Sequence, residues 1–117
     1  MTILVVEDDP QVLAVTGLLA RELGHTVIEV GNAEDAMQAL LASPVDALIA
    51  DIGLPGMSGD VFAAHARCVR PALGIVFATG VGLRPVPEDG TTTVFLRKPY
   101  DGNALGRALA AVAPGRP

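Results

Sequence analysis

Tryptophan is absent from this sequence, and one Tyr and three Phe hold aromatics to 3% of the chain, so any core must be aliphatic. A single cysteine, Cys68, excludes a disulfide framework and a multi-cysteine zinc site, and it suits a reducing compartment. In the run His65-Ala66-Arg67-Cys68 a lone thiol is expected to be a small core residue rather than a reactive group. Positive charge is scarce. The 8 Lys and Arg stand against 13 Asp and Glu, a formal net charge of −5, which removes the basic footprint of a nucleic-acid binder. No apolar run approaches the roughly 20 residues that span a bilayer. The opening Met1-Thr2-Ile3-Leu4 also lacks the basic stretch of a signal peptide. These absences predict a soluble, cytoplasmic protein with no membrane partner and no direct nucleic-acid partner.

What is present is enough for one core. The chain has 117 residues, half of them hydrophobic, which rules out disorder and predicts a single domain over residues 1–117 with no second, output domain. Five strand-length apolar runs stand out: Ile3 to Val6, Thr26 to Val30, Val45 to Ala50, Ile75 to Ala78 and Thr92 to Leu96. Several are apolar throughout, as strands covered on both faces must be. Between them lie segments with helical period. The first runs from about 10 to 23, with Asp9 as cap, Pro10 at the first position, a periodic set Val12, Val15, Leu19, Leu23, and Gly24 as stop. The second opens at Asn32, continues through Ala36, Met37, Leu40 and Leu41, and stops before Ser43-Pro44. A third spans about Ser58 to Arg70 with Val61, Phe62, Ala66 and Val69. The last spans about Asp101 to Ala113 with Leu105, Ala108, Leu109 and Val112. Strand alternating with helix is the mark of a doubly wound α/β sheet. Gly80 to Gly90 breaks the rhythm: its Gly and Pro content disfavours a helix, which predicts a short or missing fourth helix there.

In such sheets ligands bind beyond the carboxyl ends of the strands. Glu7-Asp8-Asp9 follows the first run, Asp51 the third, Thr79-Gly80 the fourth and Lys98-Pro99 the fifth. Each alone reads as a solvated turn acid, a cap, a strand-end hydroxyl or a surface amine. Together they complement one another. Carboxylates crowded at one rim repel unless a cation intervenes, and hard oxygen ligands select Mg2+ or Mn2+, which keeps room for a phosphate oxygen. Lys98 then adds positive charge, the Thr79 hydroxyl can donate to phosphoryl oxygens, and Asp51 can act as nucleophile to form an aspartyl phosphate. Asp51 stands alone at a strand end, before the turn-rich Ile52-Gly53-Leu54-Pro55-Gly56 that can expose its carboxylate.

The stretches Ile3-Leu4-Val5-Val6-Glu7-Asp8-Asp9-Pro10, Asp51-Ile52-Gly53-Leu54-Pro55-Gly56-Met57-Ser58-Gly59, Phe77-Ala78-Thr79-Gly80 and Phe95-Leu96-Arg97-Lys98-Pro99-Tyr100 closely resemble the receiver domain of two-component response regulators. The resemblance covers essentially the whole chain. It implies a flavodoxin-like five-stranded parallel sheet of order 2-1-3-4-5. Asp51 becomes the phosphoacceptor, with Thr79 and Lys98 as its catalytic companions and Thr79 and Phe95 as the switch pair. The metal set it implies is Asp8 as a direct ligand, Asp51, Glu7 through water and the Gly53 carbonyl. It further implies a cis Lys98-Pro99 bond and Asp9 left as cap. The partner is a histidine kinase or histidine phosphotransfer protein that donates a phosphoryl group, and an unidentified downstream protein reads the phosphorylated surface. Such a module is no enzyme beyond its own phosphorylation and slow dephosphorylation. It occurs both as a separate protein and within hybrid histidine kinases.

Two departures from that family bear on output. The Gly- and Pro-rich 80–90 segment weakens the face that relatives use to dimerise. Gly53 and Val81, two positions after Asp51 and Thr79, lack polar side chains to position water, which predicts no strong built-in dephosphorylation. His25 and His65 fall outside the strand-end rim and are expected to be neither phosphohistidines nor metal ligands. The alternative reading is a Mg2+-dependent phosphohydrolase with an aspartyl-phosphate intermediate. Such enzymes carry a second acid where Gly53 stands, and a substrate-covering cap. A flavin or dinucleotide binder is a third reading, disfavoured by an acidic first turn without G-x-G-x-x-G.

Overall fold

The computed structural model describes residues 1–54, 56–79 and 93–113. Five strands, β1 Thr2–Val6, β2 Thr26–Val30, β3 Ala47–Asp51, β4 Gly74–Thr79 and β5 Thr93–Arg97, alternate with four helices, α1 Pro10–Glu22, α2 Ala33–Ala42, α3 Gly59–Val69 and α4 Gly102–Val112. All strand pairs are parallel, and the order across the sheet is β2-β1-β3-β4-β5, the expected flavodoxin-like arrangement. The expected loop in place of a helix between β4 and β5 falls on residues 80–92, outside the described residues.

The helix starts follow from local chemistry. Asp9 Oδ1 accepts the backbone N–H of Gln11 at 2.9 Å, and Pro10 occupies the first position. Asn32 and Asp101 cap α2 and α4 in the same way, at 2.8 Å each to the N–H of Asp35 and Ala104. Such caps satisfy amides that have no partner inside the helix. Gly24, at φ 95, ends the turn after α1 in a conformation that favours glycine.

Both sheet faces are covered, so the strands are apolar on both sides. Leu4, Val6, Leu48, Ala50, Ile75 and Phe77 join Ala36 and Leu40 of α2 and Phe62 and Ala66 of α3 in one layer. Ile3, Val5, Ala47, Ile49 and Val76 join Ala20 of α1 and Leu105, Leu109 and Val112 of α4 in the other.

Several helix faces differ from the periodic reading. In α1 the buried residues are Thr16, Gly17 and Ala20, while Val15 is 54% and Leu18 55% exposed. Gly17 lies hard against the Glu29 side chain, which itself pairs with Arg21 at 2.6 Å. The helix seats closely through its small side, and a larger apolar face is left in solvent. Leu41 in α2, and Val61 and Val69 in α3, are also exposed. Cys68 is exposed rather than a core residue. At 100° per residue it falls opposite the Phe62, Ala63 and Ala66 face that α3 buries. Among the described residues, no helix is long and apolar enough to cross a membrane.

Candidate functional site

Parallel strands all point the same way, so whatever follows each strand is delivered to one edge of the sheet. Val6 pairs in register with Ala50, Asp51 with Ala78, and Thr79 with Arg97. Glu7 and Asp8 after β1, Asp51 ending β3, Thr79 ending β4 and Lys98 after β5 therefore share that edge. Carboxylate oxygens of Glu7, Asp8 and Asp51 lie within 4.8 Å of one another.

The three acids sit in graded environments. Asp8 is exposed. The Asp51 side chain is 15% exposed, its Oδ1 accepting the backbone N–H of Gly53 at 3.1 Å. Glu7 is buried at 4% exposure, and its Oε2 accepts the N–H of Asp9 at 3.1 Å. Its other oxygen, Oε1, accepts from Lys98 Nζ at 2.7 Å, and the same ammonium stands 3.4 Å from Asp51 Oδ2. Burial pushes the Glu7 carboxyl above its usual range and the nearby Asp51 charge adds to that, against the pull of the Lys98 and Asp9 hydrogen bonds. For Lys98, burial acts downward, but its hydrogen bond and charge pairing with Glu7 and Asp51 outweigh it and hold the ammonium above its usual range.

The donor set suits a hard divalent cation. Among the described residues, three carboxylates face one ammonium, so negative charge is in excess at this edge, and the clustered side-chain ligand atoms are all oxygens. Gly53 adjoins the cluster, its N–H already bonded to Asp51. Behind it the Phe95 ring lies 5.4 Å from that of Phe77, its register partner, with Phe95 half-buried. The Lys98-Pro99 bond is cis, as the resemblance implies.

Three features here escaped the sequence. One is the direct Lys98–Glu7 pair: residues so far apart along the chain carry no mutual pattern. Another is Gly59, where any Cβ would collide with the backbone of Asp51 and Ile52, so that α3 closes directly on the strand bearing Asp51. The third is a hydrogen bond between Thr16 and Tyr100 beside the site. His25 and His65 stand away from the edge. His25 faces the terminal amine of Met1 at 3.3 Å, at the start of β1, and His65 is exposed on α3.

Comparison with known proteins agrees with this geometry. The profile of the family described as the response regulator receiver domain matches residues 3–110. The chain is 33% identical over 114 residues to the transcriptional regulatory protein TcrA of Mycobacterium tuberculosis, covering 95% of this chain and 45% of that protein. It thus spans less than half the length of that relative. Among solved structures it is similar to the receiver domain of the hybrid histidine kinase CckA, at 29% identity and TM-score 0.79, covering 96% of this chain and 98% of that one. A response regulator receiver protein from Sinorhizobium medicae shares the fold at TM-score 0.87 and 23% identity, covering 100% of this chain and 97% of that one.

Proposed function

This chain belongs to the response regulator receiver domain family, and on that premise we propose that it takes a phosphoryl group from a phosphohistidine of a histidine kinase or phosphotransfer protein onto Asp51. Receiver domains are the phosphoacceptor modules of two-component signalling. The observation that carries the assignment here is the convergence of Glu7, Asp8 and Asp51 carboxylates and the Lys98 ammonium at one sheet edge.

An Asp51 oxygen attacks phosphorus as the P–N bond to the donor imidazole breaks, and the imidazole leaves as the neutral ring after taking a proton. The Gly53 N–H on Oδ1 holds the Asp51 carboxylate in one orientation for that approach. Lys98, already between Glu7 and Asp51, supplies positive charge where the phosphoryl oxygens arrive. Asp8 and Asp51, with Glu7 through water and the Gly53 carbonyl, are the residues that would hold Mg2+ or Mn2+. When bound, the ion offsets charge on the acids and on the incoming phosphoryl group. Thr79, ending β4, and Phe95, on the neighbouring strand, are assigned the switch that turns phosphorylation into a change of protein-binding surface. The reading makes residues 1–117 one receiver unit and a signalling module rather than a turnover enzyme. The position two after Asp51 is Gly53, where a hydrolase of this chemistry would carry its second acid.

Incubation with Mg2+ and acetyl phosphate should add one phosphoryl mass to the protein, stable in acid and labile in base. Asp51→Asn should remove it. No gain in the wild type, or an undiminished gain in Asp51→Asn, overturns the assignment. Turnover of many phosphate esters per chain would favour the hydrolase.

A further inference from the structure

Two polar or charged residues among the described ones are buried: Glu7, which belongs to the acid cluster, and Thr16, at 2% exposure in the middle of α1. A buried hydroxyl left without a partner is destabilising, because it has lost its water and gained nothing in return. Thr16 has one. Its Oγ1 and the Tyr100 hydroxyl share a hydrogen bond at 2.5 Å, with either oxygen able to donate.

Tyr100 is a consequential place for that bond to end. It lies two residues beyond Lys98, in the irregular stretch between the end of β5 at Arg97 and the start of α4 at Gly102. The β5 end of the stretch is held by pairing with β4, Leu96 to Ala78 and Arg97 to Thr79. The other end is held where the Tyr100 ring packs on the Ile3, Val5 and Leu105 layer and its hydroxyl reaches α1. Lys98 is suspended between these two anchors. Its flexible stem lets the ammonium settle against the acids, and the position of the Cα sets how far that ammonium can reach. That placement is what brings Nζ to 2.7 Å from Glu7 and 3.4 Å from Asp51. A phenylalanine in place of Tyr100 would fill the same apolar space, and a valine in place of Thr16 would fit the same helix face. Neither could fix the stretch in direction as a hydrogen bond does. Beside the pair, a cleft of about 250 Å3 lined in part by Val12, Val15, Lys98 and Pro99 leaves room for the stretch to shift if it is released.

We propose that the Thr16–Tyr100 hydroxyl pair is a positioning device for Lys98, a strut from α1 that sets where the ammonium stands beside Asp51. It touches neither the acids nor the phosphoryl group, so both residues are positioning residues. The inference rests on the reading of Asp51 as phosphoacceptor with Lys98 as its charge partner.

The test measures the rate of Asp51 phosphorylation by acetyl phosphate at saturating Mg2+ for Tyr100→Phe, Thr16→Val and Thr16→Ser, each made in the wild type and in Lys98→Ala. Displacements well under an ångström in a reacting array change rates severalfold, so Tyr100→Phe and Thr16→Val should each slow phosphorylation by roughly 3- to 10-fold. Thr16→Ser, which keeps the hydroxyl, should restore the wild-type rate. In the Lys98→Ala background the same substitutions should cause no further slowing, because the group they position is gone. A general loosening of the fold would slow both backgrounds by one factor, and that result overturns the proposal. Wild-type rates in both Tyr100→Phe and Thr16→Val overturn it as well. A wild-type protein that takes up no phosphoryl group, or an Asp51→Asn variant that labels equally, would instead overturn the phosphoacceptor reading beneath it.

Discussion

At the scale of single residues, Glu7 is held in two ways at once. It is the most buried of the three acids, yet it accepts the shortest contact that Lys98 makes, at 2.7 Å. Burial prevails, and the carboxyl titrates above 4.5. The folded chain then keeps the Glu7 proton at pH values where the unfolded chain has released it. In metal-free protein the stability contributed by this group is therefore complete below pH 4.5 and is lost as pH rises through the folded-state value. Lys98 has the usual sign for a paired cation: its contribution is present below pH 10.5 and lost as pH rises above that. Urea unfolding in a chelating buffer across the acidic range checks the Glu7 component. The difference in stability between wild type and Glu7→Gln should shift against the wild type as pH rises. A difference that moves in the wild type's favour contradicts this account. A cation held at this cluster would compete with that proton, since burial keeps the proton on Glu7 to a higher pH than on an ordinary glutamate.

At the scale of elements, close approaches made possible by glycine decide how helices meet strands. Gly59 opens α3 with its N–H donating to the Ile52 carbonyl at 2.9 Å, and a methyl group there meets the backbone of Asp51 and Ile52. Gly74 opens β4 at the opposite end of the sheet, and a methyl group there meets the backbone and side chain of Val112 in α4. Backbone cannot swing aside as a flexible side chain can, so Gly59→Ala and Gly74→Ala should each destabilise by about 1–3 kcal/mol, the cost of overpacking. In Gly59→Ala this outweighs the roughly 1 kcal/mol by which alanine is the better helix former. The two variants should differ in function. Gly59→Ala moves the strand end that carries Asp51 and should slow its phosphorylation. Gly74→Ala lies far from the acids and should leave the rate of the folded protein unchanged. Denaturation curves and acetyl phosphate labelling of both variants check this, and a Gly59→Ala protein of wild-type stability and rate would contradict it.

At the scale of the whole molecule, the site exists only in the folded chain. Its acids come from the ends of β1 and β3 and its ammonium from beyond β5, and the described chain folds to a Cα radius of gyration of 12.6 Å. A cation that binds this assembled cluster and not the unfolded chain stabilises by mass action, by about 2.7 kcal/mol when its concentration is 100 times its Kd. Adding Mg2+ to chelator-treated protein should raise the urea midpoint, and Asp8→Asn should remove most of the rise. No shift with millimolar Mg2+ would contradict the assignment of the acid cluster as the cation site.

Much of this architecture was legible in the residues because the signals are local. β-Branched apolar runs, the Asp9, Asn32 and Asp101 caps, Pro10 and Gly24 each act within a few positions, and the strands and helices begin and end within about three residues of where those signals place them. The edge that bears Glu7, Asp8, Asp51, Thr79 and Lys98 was legible as well, since parallel strands deliver their ends together. The face of α1 was not, and that of α3 only in part. Periodicity places Phe62 and Ala66 on the buried side of α3 but adds the exposed Val61 and Val69, and in α1 it favours the larger Val15 and Leu23 where close seating against the sheet selects Thr16, Gly17 and Ala20. Cys68, on α3, is exposed as well. The sequence by itself determined the order of elements, the apolar two-faced sheet and the gathering of opposite charges at its edge, through short-range propensity and pattern. Tertiary structure alone decided that Lys98 rests on Glu7 more closely than on Asp51, that α3 closes on Asp51 through Gly59, and that Thr16 meets Tyr100. Each of these depends on distances between elements remote in the chain, which packing sets and local sequence does not encode.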